Sequence, residues 1–188
     1  MLKTFVFCLL LIFCLAFFLD TPLVVFAQEA TLQAPSATLA VESIRTLTDT
    51  RTEALSEYLL RRNAPFATHA GLIVSQADKY NLDWRLLVAI SGVESTFGQR
   101  YPQGSFNAWG WGIYGDNRHG FSSWEDAITT ISKELRVRYM DRWGAKDVYQ
   151  IGNSYAASPT WAARVISFMN TISDFEKEYQ SAQLPILL

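Results

Sequence analysis

A carboxyl group does acid chemistry near neutral pH only where its surroundings keep it protonated. The acidic residues to weigh first are therefore those set against apolar sequence, and Glu94 is one. In Leu86-Leu87-Val88-Ala89-Ile90-Ser91-Gly92-Val93-Glu94-Ser95-Thr96-Phe97-Gly98, the residues Leu86, Leu87, Ile90, Val93 and Phe97 recur at helical spacing. At about 100° per residue, Glu94 returns to nearly the azimuth of Leu87 and lies one turn beyond Ile90. The pattern predicts a helix over 84–96 that ends at Gly98, with Glu94 at the edge of its buried face. A carboxyl against an apolar wall loses hydration, which disfavours its charged form and raises its pKa. Such a group can hold a proton and deliver it to a glycosidic oxygen as a general acid. The plainer reading is a helix-end glutamate turned to solvent or paired with an arginine. The apolar azimuth and the unusual segment that follows favour the chemical reading.

That segment runs from Phe97 to Trp124 and holds six of the ten glycines and eight aromatic residues. It reads as an irregular or β-hairpin insert. Its only acidic residue before Ser122 is Asp116, in Tyr114-Gly115-Asp116-Asn117-Arg118-His119-Gly120. Two-carboxylate glycoside hydrolysis needs a second acid about 5–5.5 Å away for retention or about 6.5–9.5 Å for inversion. Asp116 is the sole local candidate, although Gly-Asp-Asn is equally good turn chemistry. Trp109, Trp111 and Tyr114 could stack on the apolar C–H faces of sugar rings. Alternate spacing would put the 109 and 111 rings on one side of an extended strand. The competing use of these aromatics is packing the insert onto the helices. His69 and His119 are far apart with no partner at ligand spacing, and the only cysteines are Cys8 and Cys14. Neither a metal site nor a cofactor is expected.

The elements that must position these groups are mostly helical. Ile44, Leu47, Leu55, Tyr58 and Leu59 give a partial stripe over 41–62, broken by Pro65. Phe66, Ala70, Ile73, Ala77 and Tyr80 keep one face apolar. Asn81-Leu82-Asp83 makes a turn in which Asp83 caps the next helix. After the insert, Ser122 and Glu125 have capping-box spacing. Trp124, Ala127, Ile128, Ile131 and Leu135 then form a helical stripe. A short helix is expected over 146–151. Ser158-Pro159 opens the last helix, whose inner face carries Trp161, Val165, Phe168, Met169, Ile172 and Phe175.

The N-terminus reads as an export signal. Lys3 precedes an apolar run from Phe5 to Phe18, and Val25-Phe26-Ala27 ends in a cleavable small residue. Cleavage after Ala27 would remove both cysteines, which suits an oxidising exterior. If the segment is left uncut, residues 5–26 would tether the chain to the membrane. Gln28 to Ala40 reads as a flexible tether. The net charge of −2 gives no basic footprint for nucleic acid. The expected organisation is a signal peptide at 1–27, a tether and leading helix at 28–64, one domain at 65–181, and a tail at 182–188.

The run carrying Glu94 resembles the catalytic helix of soluble lytic transglycosylases and of the glucosaminidase family of peptidoglycan hydrolases. Three further blocks follow in the glucosaminidase order: Phe106-Asn107-Ala108-Trp109-Gly110-Trp111-Gly112-Ile113-Tyr114, Phe121 to Ala127, and Tyr155-Ala156-Ala157-Ser158-Pro159-Thr160-Trp161-Ala162. Together they span about Pro65 to Asn170. Gly110-Trp111 expands the usual block, and Ser158 stands where the family commonly has Asp. The resemblance implies a lysozyme-like fold, peptidoglycan glycan strands as substrate, and Glu94 as the essential acid. It places Tyr155 beside that acid and puts Ser95, Phe97, Asn107, Trp109, Trp111, Ile113 and Tyr114 along the substrate. The expected activity is that of an exported endo-β-N-acetylglucosaminidase. The alternatives are a lytic transglycosylase that forms anhydro-muramic ends, a catalytically silent glycan-binding module, and a purely structural helical domain of the envelope.

Overall fold

A computed structural model describes residues 49–112 and 119–183. The export signal, the tether, the start of the leading helix, Ile113, Tyr114, Asp116 and residues 184–188 lie outside the described residues.

The chain is mostly α. In order come α1 (Thr50–Leu60), a 3-10 turn (Ala67–His69), α2 (Ala70–Tyr80), α3 (Leu86–Ser95), α4 (Trp124–Glu134) running on into a π-helix (Leu135–Arg142), α5 (Val148–Tyr155) and α6 (Trp161–Gln183). Among the described residues there is no strand, and the insert between α3 and α4 is built of turns. The strand geometry expected at 109–111 is therefore not adopted. None of the described helices is long and apolar enough to cross a membrane.

Four of the described helices, α1, α3, α4 and α5, start where a side chain satisfies an orphan amide, whereas α2 has no side-chain cap. Asp49 accepts from the Arg51 N–H at 2.9 Å to cap α1. The Arg51 guanidinium then donates to both oxygens of Asp78 at 2.9 and 2.8 Å, pinning the start of α1 to the end of α2. Asp83 accepts from the Arg85 N–H at 3.0 Å ahead of α3. The capping box of α4 sits one residue later than its spacing suggested. Ser123 Oγ accepts from the Asp126 N–H, and Asp126 reaches back to the Ser122 N–H at 3.0 Å. The short helix also starts later and runs further than expected, because Asp147 caps it by accepting from the Gln150 N–H at 2.8 Å.

α3 departs most from its expected pattern. Leu86 through Gly92 are all buried, so the helix has no single apolar stripe and is enclosed on every side over its first two turns. α6, α4 and the turns of the insert supply that enclosure. Only at Val93 and Glu94 does the surface open. The end of the helix comes before Gly98: Thr96, Phe97 and Gly98 have successive φ values of 55°, 58° and 79°. Two of the three left-handed residues are not glycine, each at a cost of about 1–2 kcal/mol. That cost is met by anchorage: Phe97 buries its ring against Tyr58 of α1 and Phe168 of α6, at centroid distances of 5.8 and 5.1 Å. α1 packs on α2 and α6 with Leu55, Tyr58 and Leu59 buried, so it belongs to the same packed unit as the chain beyond Pro65.

Gly92 marks the tightest approach of α3 to its neighbours. A Cβ there would fall 2.8 Å from the Phe97 ring and 3.1 Å from the Phe168 ring. Overpacking of this kind costs about 1–3 kcal/mol, against a gain of about 1 kcal/mol in helix propensity. Gly92→Ala is therefore expected to lower stability in urea unfolding. An unchanged or raised midpoint would contradict this packing.

Candidate active site

Glu94 projects from the last turn of α3 where the enclosure ends. Its Oε1 accepts a hydrogen bond of 2.6 Å from Trp161 Nε1–H at the start of α6. Its Oε2 faces Gly110 of the insert so closely that a Cβ on that residue would lie 2.8 Å away. Gly110 also has φ +62°, so its lack of a side chain serves both the turn and the space in front of the carboxyl. The residue is exposed at the surface, while the protein packed around its carboxyl removes part of its hydration. That desolvation pushes the Glu94 pKa above the ordinary glutamate value, and the Trp161 N–H and the nearby Arg164 charge offset part of the shift. Among the described residues, the charged neighbour that acts on Glu94 is a cation rather than a second carboxylate.

Three aromatic rings back this arrangement. Tyr155, the last residue of α5, stacks on Trp161 at 4.9 Å and 24°. Its hydroxyl donates to the Trp109 carbonyl at 2.8 Å. Trp111 packs on Tyr155 and Tyr139, each at 5.9 Å, and the Arg138 guanidinium lies 5.6 Å from its ring centre. Tyr155 thus joins the indole that holds Glu94 to the peptide that precedes Gly110.

Several residues expected along the substrate are instead placed in the scaffold. Trp109 is fully buried, donates its indole N–H to the Leu87 carbonyl at 2.8 Å, and packs on Phe66 and Trp124. It cannot offer a face to a sugar. Ser95 is buried: its hydroxyl donates to the Ala108 carbonyl at 2.6 Å and accepts from the Gly98 N–H at 2.8 Å, tying the insert to the end of α3. Phe97 is the buried anchor described above. Asn107 is also buried. Its Nδ2 donates to the Trp111 and His119 carbonyls at 2.8 and 2.9 Å, and its Oδ1 accepts from the Trp111 N–H at 3.0 Å. It holds the two ends of the insert tip together. Of the expected contact residues within the described chain, Trp111 alone keeps a partly open ring.

Comparison with protein-family models, curated proteins and solved structures returns no match.

Sequence reasoning missed Trp161 as the partner of Glu94, although it lies in the block that begins at Tyr155. It also missed Gly110 as the clearance in front of the acid, and Arg164 as the neighbouring charge. The left-handed turn at Gly110 was signalled only by the Gly-Trp-Gly run.

Because the folded pKa of Glu94 is raised, its stabilising contribution is present below the ordinary glutamate pKa. That contribution is lost as pH rises through the folded value. A glutamine keeps an oxygen to accept from Trp161 but cannot ionise. Glu94→Gln should therefore match the parent chain in urea unfolding below about pH 4 and exceed it at about pH 7. A variant that instead loses ground as pH rises would show that the ionised carboxylate is favoured by the fold.

Proposed function

We propose that the chain is an exported glycosidase that cuts peptidoglycan glycan strands as an endo-β-N-acetylglucosaminidase, on a lysozyme-like helical domain, with Glu94 as general acid. The observation that carries this reading is the state of the Glu94 carboxyl. Its proton affinity is raised by desolvation, one oxygen is fixed by Trp161, and the other faces Gly110, where there is no side chain.

With Oε1 accepting from the indole, the proton resides on Oε2, on the side facing Gly110. As the C–O bond of the bound sugar lengthens, that proton passes to the departing oxygen and Glu94 becomes an anion. The Trp161 N–H and the Arg164 charge then stabilise the carboxylate, so the two groups that oppose the raised pKa at rest favour the product of the transfer. The electron-poor sugar carbon needs a partner. The acetamido oxygen of an N-acetylated sugar can close on it from within the substrate, and water then opens that ring with Glu94 accepting the proton. Alternatively, a water adds directly and gives its proton to a second carboxylate, the role expected of Asp116. Tyr155 acts here as a positioning residue, through the Trp161 ring and the Trp109 carbonyl. Trp111 supplies a partly open aromatic wall.

The second reading, a lytic transglycosylase, draws support from the cationic neighbour of Glu94. A lone acid suffices when a hydroxyl of the sugar itself closes an anhydro ring. Mass spectrometry of the fragments released from purified peptidoglycan separates the readings. Reducing N-acetylglucosamine ends are expected, anhydro-muramic ends would shift the assignment to a transglycosylase, and wall binding without fragments would shift it to a binding module.

Glu94→Gln should reduce fragment release by about 10²–10⁴-fold, the usual worth of a positioned general acid. Release at the parental rate would remove Glu94 from the chemistry. Gly110→Ala strains the backbone by about 1–2 kcal/mol and drives the new methyl into Oε2. It should therefore depress fragment release at least about tenfold, a barrier change of about 1.4 kcal/mol, while the helical circular-dichroism signal persists. Unchanged release would mean that substrate does not approach Glu94 from the Gly110 side.

A further inference from the structure

The aromatic series that starts at Glu94 continues beyond Tyr155. Tyr155 packs on Tyr139 at 5.7 Å, and Tyr139 packs on Trp143 at 4.9 Å with its ring nearly edge-on. Tyr139 is buried, but Trp143 is 54% exposed.

Beside Trp143 lies a concavity of about 270 Å³ lined by Tyr139, Trp143, Ala145, Gln150, Asn153 and Ser154. Two aromatic rings and three polar side chains line it, and its volume lies just below the range of about 300–1,000 Å³ usual for small-molecule sites. The lining residues include two amides and a hydroxyl besides the aromatic rings, and none carries a charge. Gln150 Oε1 is held by the Lys146 N–H at 2.8 Å, so its amide is fixed at the mouth of α5. The wall itself comes from the π-helix Leu135–Arg142, which places Tyr139 inward and delivers Trp143 to the rim. Wide helical turns of this kind concentrate at functional positions.

We propose that this concavity is a saccharide subsite for an uncharged N-acetylated amino sugar of the same strand that Glu94 cuts. Trp143 is the stacking platform, and Gln150, Asn153 and Ser154 are the hydrogen-bonding groups for hydroxyl and acetamido oxygens. The proposal rests on the reading of Glu94 as a glycosidase acid. Three ring-to-ring steps of 4.9, 5.7 and 4.9 Å connect the indole bonded to Glu94 with Trp143, which keeps the two within the length of a short oligosaccharide. A peptide carboxylate would call for a cation in the lining. A neutral sugar calls for the amides and rings that are there.

The test is calorimetric titration of the full chain carrying Glu94→Gln with two probes, an N-acetylglucosamine disaccharide and a longer oligomer of the same sugar. Adding Trp143→Ala should weaken the longer oligomer by about tenfold, the loss expected when one apolar sugar face is no longer covered. The disaccharide, held next to Glu94, should bind as before. Asn153→Ala should show the same selectivity with a smaller loss. Both substitutions are at exposed positions, so the helical signal should be unaltered. Equal affinity for the longer oligomer with and without Trp143 and Asn153 would overturn the subsite, as would equal weakening of both probes or no binding of either. Parental cleavage by the Glu94→Gln chain would overturn the assignment of the acid instead, and would leave the Trp143-dependent binding to be read on its own.

Discussion

The hydrogen bond from Trp161 to Glu94 joins residues 67 positions apart, and the helical array has to be in register for it to exist. Among the described helices, Glu94 stands at the end of the most enclosed, and Trp161 stands at the beginning of the longest. The bond forms because α6 lies along α3, with Phe168 against Gly92 and Phe97. A second constraint closes the site from the other side. Ser95 and Trp109 fasten the insert to α3 through the Ala108 and Leu87 carbonyls, and that fastening carries Gly110 to the face of the carboxyl.

The scaffold and the chemistry therefore use neighbouring residues for opposite purposes. Trp109 is wholly committed to the interior, while Trp111, two residues on, keeps part of its ring at the surface. Ser95 is consumed by backbone bonds, while Glu94 beside it has one oxygen held and the other facing Gly110 at close range. The local strain at Thr96 and Phe97 fits this division. It turns the chain sharply enough after Glu94 for the insert to fold back over it.

Much of the helical framework was legible from periodicity. Phe66, Ala70, Ile73 and Ala77 are buried as their spacing implied, and so are Trp124, Ala127, Ile128, Ile131 and Leu135. Periodicity reports which residues share a face, however, and not how many faces become covered. That is why α3 looked amphipathic and is in fact enclosed. Alternation at 109 and 111 was equally open to two meanings, since turns can send neighbouring indoles inward and outward without a strand. The pairing of Glu94 with Trp161 has no local signature at all. It depends on tertiary packing, which the order of blocks along the chain indicates only by resemblance.

The acid role of Glu94 depends on a carboxyl whose proton affinity the fold raises by desolvation. Carbon-detected nuclear magnetic resonance of the Glu94 side-chain carboxyl across a pH series measures this directly. The expected midpoint lies above the ordinary glutamate value, and it should rise further in Trp161→Phe, where the indole donor that favours the anion is gone. A midpoint at or below the ordinary value would contradict the account, because Glu94 would then already be ionised and would have no proton to give.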